Sequence, residues 1–397
     1  MYDFDRTPDR RPWDSVKWSY LGRDCPSGER EVIPLWVADM DFAAPPELAA
    51  AMAERAGHAV YGYSGLPDRF FEAFATWMRA RHDVAVERKH MVFSPGVVPG
   101  LALAVRAFTE AGDGVLIQPP VYHPFPQVVL RAERRVIENR LVLRDGRYVI
   151  DFEDLEKKMR SARMMILCSP HNPVGRVWTE EELERIAELA ARRQVVLVSD
   201  EIHSDIVYPP VRHTSALALE LADRSLLAVF HAPSKTFNIA GLQTSVAVIP
   251  GDELRRRFEA EAAAIGLNIP NVFGGRAAET AWKSCGPWLD ELLAYLEGNW
   301  RYLRDRVAAQ MPALEVMPIE GSYLAWVDFR RSGIEEAAKP GVLHDFLVRR
   351  ARIWCDEGSK FGAGGEGFVR INFACPRALL AEALDRLRDA LPPAALS

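Results

Sequence analysis

Short apolar runs rich in valine, isoleucine and leucine recur from about Pro45 onward, separated by stretches whose apolar residues return at helical spacing. The runs occupy residues 91–93, 115–117, 164–168, 195–198, 226–230 and 245–249. They lack polar alternation, which predicts strands buried on both faces, and the amphipathic segments between them predict covering helices. Together these features describe an α/β fold built on a mainly parallel sheet. Residues 98–110 and 179–193 are two of the predicted helices. In the second, Thr179 precedes Glu180, Glu181 and Glu182, placing a capping hydroxyl, a capping-box glutamate and acidic charge at the positive end of the helix dipole.

Beyond about residue 286 the texture changes. A long helix is predicted through Ala309, then a strand over residues 322–328, a helix over 342–350, a strand over 368–373 and a terminal helix from Pro376. This divides the chain into a large domain over residues 46–286 and a smaller α+β domain formed by residues 1–45 and 287–397. No Gly/Ser linker marks the boundary.

Composition narrows the function classes. With 49 basic and 55 acidic residues among 397, the net charge is −6, so no global positive field draws nucleic acid. No apolar run approaches the ~18 residues of a membrane span, and the first residues lack a signal-peptide core, so a cytoplasmic protein without membrane contact is expected. The five cysteines, Cys25, Cys168, Cys285, Cys355 and Cys375, are dispersed, with no CxxC pair, and the nine histidines show no HExxH spacing. Neither a disulfide framework nor a metal site is expected.

Ligands of open α/β sheets bind beyond the carboxyl ends of the strands. Five successive runs end there in Ser94-Pro95-Gly96-Val97-Val98, Gln118-Pro119-Pro120-Val121-Tyr122, Ser169-Pro170-His171-Asn172-Pro173-Val174-Gly175, Ser199-Asp200-Glu201-Ile202-His203 and His231-Ala232-Pro233-Ser234-Lys235-Thr236. A glycine turn opening a helix suits a phosphate. Tyr122 suits stacking on a pyridine ring, and Asn172 suits donation to a ring oxygen. Asp200 would keep a ring nitrogen protonated by opposite charge, and Lys235 would serve as nucleophile and general base. Each residue alone has an ordinary explanation as a turn, cap or surface side chain. Their joint placement at successive strand ends favours a pyridoxal-phosphate site.

These segments resemble fold-type I pyridoxal-phosphate-dependent enzymes. So do Trp36-Val37-Ala38-Asp39-Met40-Asp41-Phe42, Tyr61-Gly62-Tyr63, Ser234-Lys235-Thr236-Phe237-Asn238-Ile239-Ala240-Gly241-Leu242 and Arg370-Ile371-Asn372-Phe373-Ala374. Within the class I/II aminotransferase superfamily they look most like the bacterial cystathionine β-lyase or cysteine-S-conjugate β-lyase branch. The resemblance implies pyridoxal 5'-phosphate carried by Lys235, with Asp200 at the ring nitrogen, Asn172 at the ring hydroxyl and Tyr122 over the ring. It implies phosphate contacts from Gly96, Val97, Val98 and Ser234, and from Tyr63, in preference to Tyr61, of a neighbouring subunit in a homodimer. Arg370, with Ala38 and Tyr122 beside it, is implied to bind the substrate α-carboxylate. Many class I/II aminotransferases carry an arginine eight residues beyond the lysine, where this chain has Gln243, which removes a charge from the phosphate site. His203 stands where many have a tyrosine; it reads equally as a structural histidine.

The implied activity is α,β-elimination from L-cystathionine or related cysteine S-conjugates, giving a thiol, pyruvate and ammonia. An aminotransferase is the first alternative. A regulatory binding protein on this scaffold is the second, although no basic helix-turn-helix module is present. One further pattern, Gly362-Ala363-Gly364-Gly365-Glu366-Gly367, matches GxGxxG but precedes a strand instead of joining strand to helix, and reads as a flexible turn beside the site.

Overall fold

The computed structural model describes residues 2–19, 32–221 and 224–396. Its apolar runs form a seven-stranded sheet: β1 (Met91–Ser94), β2 (Gly114–Ile117), β3 (Arg135–Glu138), β4 (Met164–Cys168), β5 (Val196–Asp200), β6 (Leu227–His231) and β7 (Ser245–Val248). The strand order is β1-β7-β6-β5-β4-β2-β3. Only β7 runs against its neighbours. Its connection from β6 is a short helix, Pro233–Thr236, and a single 3-10 turn, so the chain returns antiparallel without a crossover helix. Pleating sorts each strand between two cores: Met164, Ile166 and Cys168 of β4 enter one, Met165 and Leu167 the other.

Strand β3 is absent from the predicted runs because it is an edge strand with charged ends, Arg135 and Glu138, bonded only to β2. Helix α1 (Pro46–Gly57), α2 (Asp68–His82) and α3 (Val97–Phe108) precede α4 (Glu180–Arg193), whose Thr179–Glu182 capping box forms as expected.

A second, antiparallel sheet holds β8 (Glu315–Val316), β9 (Leu324–Asp328), β10 (Asp356–Glu357) and β11 (Phe368–Asn372) in the order β8-β9-β11-β10. Helix α5 (Val272–Ser284) packs on α1 and α2, while α6 (Gly286–Gln310) and α7 (Arg377–Ala390) accompany the second sheet. The helix expected over residues 342–350 is α-helical only over Val342–Phe346 and continues as a π-helical turn, Leu347–Ala351.

Residues 36–42 form a strap between the two sheets. Asn372 Nδ2 donates to the carbonyls of Val37 and Asp39, both at 2.6 Å. From the other side Asn238 Nδ2 donates to Met40 and Phe42 carbonyls while its Oδ1 accepts from Met40 N–H. Asp41 of the strap is fully buried and takes Lys17 Nζ at 2.6 Å, Trp18 Nε1 at 2.8 Å and Arg10 Nη1 at 2.8 Å. A buried carboxylate with so many donors keeps its charge compensated and fixes the strap in place.

No helix of the described residues is long and apolar enough to cross a membrane, and among those residues no group of three or more His, Cys, Asp or Glu is placed to hold a metal ion. Four cysteines are free and buried; Cys25 lies outside the described residues.

Candidate active site

The carboxyl ends of β1, β4, β5 and β6 open into one cavity of about 370 Å³, lined by Gly96, Val97, Val98, Tyr122, Asn172, Asp200, His203, Ser234 and Lys235 together with Ala38 and Gln243. Ten of the sequence-predicted positions therefore meet in one place.

At one end, Gly96 precedes α3 with φ 102° and ψ 160°, a conformation open to glycine and strained for other residues. A Cβ there would stand 2.9 Å from Gln243 Oε1. No side chain caps α3, so the first amides of the helix face the cavity end as free donors beside the hydroxyl of Ser234.

At the other end Asp200, the last residue of β5, is buried; the Ile202 amide donates to its Oδ1 at 3.1 Å. Burial pushes its carboxyl up to about 7, against the lowering effects of that bond and of the Lys235 charge. Lys235 Nζ donates to the Ala38 carbonyl at 2.6 Å, and burial brings its pKa down to about 8. Ala38 thus takes part through its backbone: the same carbonyl accepts from Tyr323 Oη at 2.9 Å.

Asn172 Oδ1 accepts from Arg370 Nη1 at 3.1 Å, which leaves the amide Nδ2 as the donor facing the cavity. The Tyr122 ring lies in the wall, its backbone amide bonded to the Asn172 carbonyl at 3.0 Å. His203 is buried, with Nδ1 3.2 Å from Ser322 Oγ, and burial holds its pKa well below the ordinary histidine range. A satisfied buried ring and a cavity-lining ring are here the same residue.

Two sequence-predicted residues stand apart. Arg370, on β11, lies behind Asn172: Nη2 donates to the Trp36 carbonyl at 2.7 Å and to Asp356, the guanidinium covers Phe361, and Nε has no partner among the described residues. Tyr63 is 98% exposed and far from enclosed by its own chain.

The glycine-rich segment at 362–367 forms turns, as expected, and packs closely at Gly365. A Cβ on Gly365 would stand 2.1 Å from the Gly358 carbonyl oxygen, and the Gly364 carbonyl accepts from Tyr148 Oη. Close backbone approach accounts for Gly365, and positive φ for Gly362, Gly364 and Gly367.

Two groups escaped sequence reasoning. Asp356 reaches Arg370 only through the β10–β11 pairing, in which the two residues stand opposite each other. Glu201 and Asp205 follow Asp200 closely, and the signal for them was acidic residues inside an otherwise buried loop.

A seven-stranded, mostly parallel α/β sheet with a buried lysine and aspartate at its strand ends defines the fold-type I class. The family described as aminotransferase class I and II matches residues 30–387, and the chain belongs to that family, in its carbon–sulfur lyase branch. It is 41% identical over 393 residues to cystathionine β-lyase PatB of Bacillus subtilis, covering 98% of this chain and 100% of that one. It is 32% identical to protein MalY of Escherichia coli, covering 98% and 99%. Among solved structures it is similar to cystalysin of Treponema denticola, which contains pyridoxal 5'-phosphate, with a TM-score of 0.93, 38% identity and 98% of both chains covered. A pyridoxal-phosphate-bound C–S lyase of Staphylococcus hominis superposes with a TM-score of 0.91 at 31% identity, again over 98% of both chains.

Proposed function

We propose that the protein is a pyridoxal-phosphate-dependent carbon–sulfur β-lyase acting on L-cystathionine or related L-cysteine S-conjugates. The observation that carries this reading is the presence, in one cavity, of a buried Lys235 and a buried Asp200 beside an uncapped helix start.

The residues present fit the cofactor. The free amides after Gly96, the Ser234 hydroxyl and Gln243 suit its phosphate, although Gln243 supplies no charge. Asp200 is a buried carboxylate whose ionisation a protonated ring nitrogen would favour, and Asn172 Nδ2 is the free donor for the ring oxygen. When bound, pyridoxal phosphate supplies an electron sink for the pair left at the substrate α-carbon.

The chain's own residues do the rest. Lys235 would hold the cofactor, and its amine, when free, would move a proton at the substrate α-carbon; a pKa near 8 leaves a usable fraction of neutral amine at neutral pH. Arg370, held in place by Asp356, Trp36 and Asn172, is the guanidinium whose charge reaches Lys235, Tyr122 and His203, and it suits the substrate carboxylate. Tyr122 and the apolar wall of Val97, Val98 and Ile202 exclude water. Loss of a thiolate from the β-carbon then yields, after hydrolysis, pyruvate and ammonia.

The homodimer belongs to the same reading. Tyr63 is 98% exposed beside the exposed Val60 and Tyr61, and a partner's cavity is the destination that suits Tyr63.

The deciding experiment incubates the purified protein with L-cystathionine and no keto acid. Continuous release of thiol and pyruvate is expected. A single stoichiometric conversion to the amine form of the cofactor would instead assign it to transamination.

A further inference from the structure

Beneath the cavity lies a second cluster that the proposed chemistry does not use. Asp205, in the loop after β5, accepts from His82 Nε2 at 2.8 Å, Trp77 Nε1 at 3.0 Å and Thr236 Oγ1 at 2.7 Å. His82 and Trp77 come from α2, and Thr236 is the chain neighbour of Lys235. Glu201, four residues earlier, accepts from Ser199 Oγ at 3.0 Å, the Ala216 amide at 2.8 Å and His213 Nε2 at 3.2 Å, and His231 Nε2 lies 3.2 Å away. The His82 ring stands 5.8 Å from that of His213 and 6.0 Å from that of His231. Three imidazoles and two carboxylates thus share one buried space.

The cluster's charges are set by contact. Burial opposes ionisation of both His82 and Asp205, but their mutual hydrogen bond and opposite charges outweigh it, raising the histidine and lowering the aspartate. Asp205 is therefore a fixed anion whose second oxygen is committed to one hydroxyl, that of Thr236.

The commitment matters because of where Thr236 stands. Lys235 sits on a helix of four residues, Pro233–Thr236, closed by the Phe237 amide on the Pro233 carbonyl, with the Ile239 amide on the Ser234 carbonyl just beyond it. One turn fixes several dihedrals for one bond and does not hold its own shape in isolation. Direction must come from tethers to rigid elements, and the bond from Thr236 to Asp205 ties this turn to β5's loop and, through His82 and Trp77, to α2.

We propose that Asp205 is a positioning residue for Lys235, holding the lysine-bearing turn through Thr236 so that Nζ stays aimed at the reacting carbon. The inference rests on the reading of Lys235 given above. The tether touches neither substrate nor cofactor and acts through geometry alone.

The test uses T236V, which removes the donating hydroxyl at nearly constant volume, and T236S, which keeps it. In the cofactor-loaded enzyme T236V is expected to lower kcat for β-elimination about tenfold with KM held within about twofold, since misaiming a reacting group costs rate and not substrate binding. The pH midpoint of the visible absorption band of the Lys235-bound cofactor should move as well, and T236S should restore both values. D205A, which removes both accepting oxygens, should reproduce the T236V pattern in kcat and band midpoint. Wild-type kcat and band midpoint in T236V, or equal impairment in T236V and T236S, would overturn the tether. Absence of any visible band in the loaded wild type would overturn the reading of Lys235 itself, a separate failure.

Discussion

Asp200 carries a stored cost of burial at the level of single residues. Unfolded, its carboxyl ionises near the ordinary aspartate value of about 3.9; folded without a cationic ring beside it, near 7. Between those values the folded chain binds the extra proton, so this residue's contribution to stability is present below the lower value and is lost as pH rises through the upper one. Asp200→Asn removes the penalty while keeping the oxygen that accepts from Ile202. The cofactor-free variant is therefore expected to be more stable than wild type at pH 8 by roughly 2–4 kcal/mol, with the difference closing below pH ~4, as read by urea unfolding. Its lyase activity should collapse, because an amide cannot keep a ring nitrogen protonated. Equal stability at pH 8 would mean that Asp200 does not pay for burial. Arg370 gives a second prediction at this scale. It serves Asp356, Trp36 and Asn172 with its two terminal nitrogens and keeps Nε free, a division that a single ammonium cannot make. Arg370→Lys should raise KM on the order of tenfold or more, with a smaller change in kcat.

Elements show why some of the site was legible in the sequence and some was not. Residues delivered by a strand end and its following turn were readable, because β1, β4, β5 and β6 each announce themselves as an apolar run and the chemistry begins one or two residues later. Asp356, Asp205 and the Ala38 carbonyl were not. Each acts through a partner distant in the chain, and only strand pairing, the α2 contact or the strap's two asparagines brings them into place. Strand β3 was missed for the complementary reason, since an edge strand has one bonded neighbour and tolerates charge at both ends. The element most exposed to a single change is the start of α3. Gly96→Ala would force a Cβ into a backbone conformation costing about 1–3 kcal/mol and into contact with Gln243 Oε1. Because the free amides of α3 must stand in for the charge that Gln243 does not supply, cofactor affinity should fall at least tenfold by equilibrium dialysis, while the helix itself survives. Unchanged retention of the cofactor would show that the phosphate lies elsewhere.

Over the whole molecule, the cavity is lined by residues of one chain, while one predicted contributor stands outside it. Tyr63 is nearly fully exposed, and the neighbouring Tyr61 is pinned to its own chain by its hydroxyl on the Ala56 carbonyl at 2.7 Å and its ring 6.0 Å from that of Phe273. Of the two tyrosines, Tyr63 alone is free to serve a second copy, and a closed two-fold dimer would deliver each copy's Tyr63 to the other's cavity. This geometry makes a complementation test decisive. Tyr63→Ala homodimers keep Lys235 but present no tyrosine to either cavity; Lys235→Ala homodimers present the tyrosine but lack the lysine. In a hybrid dimer the chain carrying Lys235 receives Tyr63 from its partner, so one site of the two is whole. Mixing and refolding the two inactive or impaired proteins together should therefore recover lyase activity above that of either parent, in proportion to the hybrid fraction separated by charge-tagged chromatography. If the hybrid gains nothing, or if Tyr63→Ala alone retains full activity, each cavity is complete within its own chain and the exposed segment around Tyr63 has some other use.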